Sequence, residues 1–253
     1  MPRATFASTV IVAALLCSTA HADEPQWRIS AGPGVLIFPK YPGAADADVF
    51  PIVDLDLAYG RLFLNTRHGI GGYLLDSGQR QVGVSLWFRQ GRGRDDSDRV
   101  ARLEPIHAAP AAHAFYTESF GSLAVSASVT QTLAEGGGVT ADGSVAWRFQ
   151  PYKATRMQIG VRAIVGDPRY MRTWFAITPD QARTAGIEEY EVEPGLAAVG
   201  AFAAVTHELS SDWFVSAYAG CDVLVGDAAD SPVVERARMP LFVLSVMRRF
   251  ARH

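Results

Sequence analysis

From Leu123 the odd positions read Leu123, Val125, Ala127 and Val129, and the even ones Ala124, Ser126, Ser128 and Thr130. A period of two belongs to a β-strand, whose successive side chains point to opposite faces. The pattern recurs along the chain. Val139, Ala141, Gly143, Val145, Trp147 and Phe149 stand against Thr140, Asp142, Ser144, Arg148 and Gln150. Met157 to Val165 alternates against Gln158, Gly160 and Arg162, and Val82 to Phe88 against Gln81, Ser85 and Arg89. Trp213 to Val225 alternates with Ser216, Tyr218, Gly220 and Asp222, and Phe242, Leu244, Val246 and Phe250 share a face near the end of the chain.

Length decides between a soluble sandwich and a membrane wall. A tilted strand crosses a bilayer in about 9 to 11 residues, whereas strands of soluble domains commonly have about five or six. The runs from Leu123, Val139 and Trp213 reach the longer figure. After Ala22 there is no apolar run of the roughly 20 residues that a membrane helix needs, so insertion must use strands closed on themselves. The expected fold class is all-β, a transmembrane antiparallel up-and-down β-barrel of about 12 strands, with 10 as the alternative count.

The connections agree. Residues 118–121, 135–138, 150–153 and 209–212 are short, polar or Gly/Pro-containing, and longer polar stretches lie at 40–48, 91–104, 179–194 and 226–238. Alternating long and short connections is the expected asymmetry of such a barrel, with the short turns on the periplasmic side. Aromatics near strand ends, among them Trp27, Tyr41, Tyr59, Phe63, Trp87, Trp147, Tyr170, Trp174, Phe175, Trp213 and Phe250, are expected to form interface girdles.

Residues 1–22 read as a secretory signal: Arg3, an apolar core from Val10 to Cys17, and Ala20-His21-Ala22 before Asp23. Residues 23–253 then form one barrel domain in the cell outer membrane of a Gram-negative cell. With 23 basic and 26 acidic residues in the whole chain, losing Arg3 with the leader leaves 22 against 26, a net of −4. That balance gives no reason to propose nucleic acid as a partner. Cys221 is left without an intramolecular partner and sits at an apolar strand position, where it reads as a small hydrophobe.

Several stretches carry a resemblance. Tyr41-Pro42-Gly43, Pro51-Ile52-Val53-Asp54, Tyr59-Gly60-Arg61-Leu62-Phe63 and His68-Gly69-Ile70-Gly71 lie in the first half. Tyr170-Met171, Phe175-Ala176-Ile177-Thr178, Gln181-Ala182, Gly186, Tyr190, Gly226 to Val233 and Arg249-Phe250 lie in the second. In this order the chain resembles the MipA/OmpV family of MltA-interacting proteins. Ala176, where the family pattern leads us to expect Gly, and a short irregular loop between Gln90 and Ala108 depart from it. The resemblance implies a non-enzymatic outer-membrane scaffold or interaction protein linking peptidoglycan synthases and lytic transglycosylases, in contact with lipid and lipopolysaccharide.

Two other readings follow from the residues. One is a passive small-solute pore; Arg89, Arg148, Arg156 and Arg162 with Asp142 and Asp222 make a charged lumen, either paired or lining an open channel. The other is a barrel-embedded lipid hydrolase, which needs a nucleophile, a His and an orienting carboxylate. His207 beside Glu208 and His113 near Glu118 are the pairs to weigh, and adjacent strand residues face opposite ways. No catalytic, cofactor or metal residues are assigned. Asp95, Asp96 and Asp98 among Arg92, Arg94, Arg99 and Arg102 read as a solvated mixed-charge loop, whose arginines are able to meet lipopolysaccharide phosphates.

Overall fold

The computed structural model describes residues 27–134 and 136–252; the expected signal, with Cys17 and the cleavage site, lies outside them. The strands are β1 (Trp27–Pro39), β2 (Ala47–Tyr59), β3 (Leu62–Asn65), β4 (Gly69–Asp76), β5 (Arg80–Arg89) and β6 (Ala109–Phe120). They continue with β7 (Leu123–Thr132), β8 (Val139–Tyr152), β9 (Thr155–Gly166), β10 (Gly195–Glu208), β11 (Trp213–Leu224) and β12 (Arg238–Arg252). Each pairs antiparallel with its chain neighbours, and β12 pairs with β1, so the sheet closes on itself. The expected count of 12 holds.

The six alternating runs became β5, β7, β8, β9, β11 and β12 with the expected facing. Val84, Leu86, Phe88, Val145, Trp147, Val161, Val165, Leu244 and Val246 all remain exposed on the outside of the wall. So continuous an apolar exterior is an aggregation hazard in water and the required surface in hydrocarbon. Among the described residues no helix is long and apolar enough to cross a membrane. The crossing is made by strands hydrogen-bonded to one another in a closed ring.

The seam between the first and last strands is tight. At Gly32 a Cβ would stand 1.8 Å from the Val246 carbonyl oxygen. The β1–β12 register runs Ala31↔Arg248 and resumes at Gly34↔Ser245, skipping Gly32 and Pro33. Pro33 has no N–H to give a ladder, and in β1–β2 it sits opposite Val53. The skipped pairs therefore fall where the chain lacks a donor and where only glycine admits the neighbouring backbone.

The two ends of the barrel differ. Both described termini and the connections at residues 60–61, 77–79, 121–122, 153–154 and 209–212 lie at one end, called here the turn end; the connection after β7, read from the sequence as one of the short turns, falls at the other end, and residues 66–68 turn back partway up the wall. The other end carries residues 40–46, 90–108, 133–138, 167–194 and 225–237. These connections contain α1 (Pro168–Phe175), α2 (Pro179–Ala185), the short α3 (Asp227–Asp230) and a 3₁₀ turn at Arg94–Asp96.

The aromatic expectation needs correction. Trp27 and Tyr59 meet at 4.7 Å between ring centroids at the turn end, and Trp147, Tyr152, Trp213 and Phe250 are exposed near them, as a girdle requires. Tyr41, Phe63, Tyr170, Trp174 and Phe175 are buried instead. Phe63 packs inside the barrel with Phe115 and Tyr73. The other four belong to the core of the loop end.

Candidate functional site: the capped mouth and paired lumen

Asp167 ends β9 and starts α1. Its carboxylate accepts from the Tyr170 N–H at 2.7 Å, and Pro168 occupies the first helical position, the arrangement that satisfies a helix start. α1 then turns Tyr170, Met171, Trp174 and Phe175 inward, with Phe175 fully buried. Thr178 caps α2 through a reciprocal pair with Gln181, and Gly186 closes it in the left-handed conformation at φ 71°. Ile177 and Tyr190 exchange both backbone hydrogen bonds, at 2.9 and 3.1 Å, drawing the 167–194 connection into a compact unit.

The other connections pack onto that unit. Tyr41, Val100, Leu103, Ala228 and Val233 join the aromatic residues of α1 in one core, so four separate connections bury their apolar side chains together at the barrel's mouth. Ser231 Oγ donates to the Phe175 carbonyl at 2.6 Å, and Tyr190 Oη donates to the Asp227 carbonyl at 2.9 Å. Tyr41 Oη lies 3.0 Å from Ser97 Oγ. Burial raises the Tyr41 hydroxyl above its ordinary pKa and lowers that of the Arg92 guanidinium.

The arginines of residues 90–108 are turned to this structure rather than outward. Arg92 is buried and donates to the Trp174 carbonyl at 3.2 Å. Arg99 donates to the carbonyls of Pro232 and Val234 at 3.0 and 3.3 Å, and Arg102 to that of Ala185, the last residue of α2, at 3.5 Å. A cation at a helix C-terminus answers unsatisfied carbonyls there. Three of the four arginines considered for phosphate contact thus already have main-chain partners. The loop read as irregular is folded, with Val100 and Leu103 among the most buried side chains. Ala176 is likewise no defect, for it sits at φ −81°, ψ 156°, where any residue fits.

Below the cap, the lumen is polar and internally paired. Arg162 makes a two-point pair with Asp222, its Nε donating to Oδ1 at 2.7 Å. Arg89 donates to Thr140 Oγ1 at 2.9 Å and lies over the Tyr170 ring, tying the wall to the cap. Asp142 accepts from Ser128 Oγ at 2.5 Å, and Asp54 from Ser245 Oγ at 2.6 Å. Arg148 reaches Ser119, and both Arg156 and Arg249 reach Glu208 near the turn end. Of the six lumen charges named from the sequence, Arg162 and Asp222 pair with each other and Arg156 with Glu208, while Arg89, Arg148 and Asp142 meet hydroxyl groups.

The histidine pairs come apart. Glu208 faces inward to Arg156 and Arg249, while His207 meets Thr155 Oγ1 at 2.9 Å. Glu118 binds Arg80 and Tyr116 at the turn end, away from His113. His113 instead meets Thr130 Oγ1 at 3.0 Å and His68 Nε2 to Nδ1 at 3.4 Å, and both imidazoles stack on Phe115. His68 and His113 lie 45 positions apart, and only the inward parity of His113 pointed to the pair. Among the described residues no group of three or more His, Cys, Asp or Glu is placed to hold a metal ion.

These observations define a class: a twelve-stranded transmembrane β-barrel whose lumen is internally paired and whose mouth is covered by its own connections. Residues 31–250 match the family model described as MltA-interacting protein MipA. The chain belongs to that family. No curated protein sequence matches it. Among solved structures it is similar to an outer membrane channel from Pseudomonas putida F1, at 11% identity over 90% of this chain and 97% of that one, TM-score 0.44. It is also similar to OmpT of Vibrio cholerae, at 8% identity over 92% and 100%, TM-score 0.39. A third is Neisserial surface protein A, at 7% identity over 88% and 97%, TM-score 0.29. The fold described here stands on the closed hydrogen-bonded ring, not on these likenesses.

Proposed function

We propose that this protein is a non-enzymatic scaffold of the outer membrane that binds a lytic transglycosylase, and through it a peptidoglycan synthase, at the turn end of the barrel. The family's description names an interaction with MltA. The observation that carries the reading is the use of the loop end: its buried aromatic side chains and three of the four arginines of residues 90–108 are spent on covering the mouth. That use of the mouth weighs against a passive pore. The short turns face the periplasm by the usual asymmetry, and there Arg80, Lys153, Arg156 and Asp212 form an exposed charged rim.

Hydrolysis has less support. The His68–His113 pair faces Thr130 and aromatic rings, and among the described residues no carboxylate accepts from either imidazole. The test is affinity capture from detergent-solubilised envelopes with the tagged protein, its folding checked by heat-modifiable gel migration. Recovery of a lytic transglycosylase, weakened by charge reversal at Arg80, Lys153 and Arg156, is the expected result. A folded barrel that retains no envelope enzyme ends the scaffold reading.

A further inference from the structure

The wall of the barrel is incomplete in one place. β3 has 4 residues between neighbours of 13 and 8. β2 pairs with β3 only from Asp56 to Tyr59, and the hairpin tip adds one step, Thr66 N–H donating to the Leu55 carbonyl and Leu55 N–H to Thr66 Oγ1 at 2.9 Å. Toward the loop end from there, Ala47–Asp54 has β1 on one side and, among the described residues, no strand on the other. Across the gap, β5 is paired to β4 as far as Leu86, leaving Trp87 to Arg89 without a partner on that side. Two strand positions are missing, a width of about 10 Å at roughly 4.8 Å per strand.

The gap is a cavity of about 440 Å³, floored by Leu64, Thr66 and Ile70 and walled by Leu55, Leu86 and Trp87. It lies within the apolar band, since Val49 and Val53 on one bank and Leu86 and Phe88 on the other are exposed. Backbone groups left open at this depth are costly, and an added strand is the first remedy to consider. Alternate residues of a strand address the same neighbour, so Val53, Pro51 and Val49 share the edge that Leu55 gives to Thr66. Pro51 has no N–H, the device by which sheet edges resist strand addition.

We propose that this notch is a lipid site, in which an acyl chain of a surrounding bilayer lipid lies between β2 and β5 and reaches the inward-turned Trp87. The chain fills apolar space that neither water nor a strand suits, and its ester carbonyl accepts from the Val49 N–H near the loop end. The inference rests on the transmembrane reading of the barrel and is independent of the scaffold role.

The test uses the folded protein in vesicles of phosphatidylcholine with or without bromine on the acyl chains. Subtracting the emission of Trp87→Phe from that of the parent isolates Trp87, whose parity would hide it from lipid behind a complete wall. The expected result is loss of most of this difference emission in the brominated bilayer, insensitivity to aqueous iodide, and reduced quenching when Ile70→Phe fills the floor. Trp87→Tyr serves as reference should the phenylalanine variant lack heat-modifiable migration. Difference emission that bromine leaves intact, that iodide quenches, or that is shielded from both in a chemically cross-linked dimer overturns the proposal, the last in favour of a second copy.

Discussion

Gly200 decides whether the lumen can pair its charges. It lies on β10 between Arg162 of β9 and Asp222 of β11, and a Cβ there would stand 2.1 Å from Asp222 Oδ1. The guanidinium therefore crosses an intervening strand only because that strand presents no side chain. Removing one member of a buried pair leaves a charge without compensation, at a cost of about 3 to 5 kcal/mol, whereas replacing both by apolar groups is often neutral. Asp222→Leu should lower stability by about 3 kcal/mol on that ground, and Arg162→Met added to it should restore most of the loss. Urea unfolding of the micelle-bound barrel, followed by tryptophan emission, checks both; equal losses in the single and double variants would count against the pair. Gly200→Val should resemble Asp222→Leu, since it displaces the carboxylate without touching either charge.

Among the elements, the seam and the cap carry separate expectations. Gly32→Val sets a branched side chain against the Val246 carbonyl and should prevent closure, giving protein without heat-modifiable migration; a normal shift would show that the seam relaxes. Trp174→Ala removes a buried aromatic from the core of the connections, a change worth about 3 to 5 kcal/mol in packed interiors. It should leave the barrel heat-modifiable while exposing 167–194 to limited proteolysis, because strands and cap meet at Arg89 and at the loop ends of β8 to β12, leaving the rest of the wall untouched. The strands were legible where the two faces differ in polarity, as in β7 and β8. β10 was not, because Ala198 and Ala204 face the lumen while Ala201 and Ala203 face lipid, and alanine gives no contrast. α1 turns its apolar face to the other connections and the strand ends beneath them, so its aromatics looked like a girdle. The starts of α1 and α2 were nonetheless written in the chain, as Asp167-Pro168 and as Thr178-Pro179 with Gln181. The His68–His113 pair and the short β3 had no local signature, for both depend on register across strands.

At the scale of the whole molecule, the question is whether the cap merely decorates the mouth or closes it. Tyr170 is held over the lumen by Arg89, which is itself hydrogen-bonded to Thr140 at the top of β8, and Phe175 and Met171 behind it have essentially no exposed surface. A twelve-stranded wall encloses more space than the filled eight-stranded barrels and less than the open sixteen-stranded porins, so side chains and cap together decide conduction. The parent protein in a planar bilayer should be silent or nearly so at neutral pH. Replacing 168–192 by a short Gly/Ser linker, which spares Gly166 and Gly195 at the ends of β9 and β10, should give discrete openings whose size rises further when Arg162→Met and Asp222→Leu clear the lumen. Steady conductance in the parent would instead make the cap a constriction and the protein a channel. Silence after deletion would place the barrier in the paired interior, where the Phe63, Tyr73 and Phe115 cluster lies.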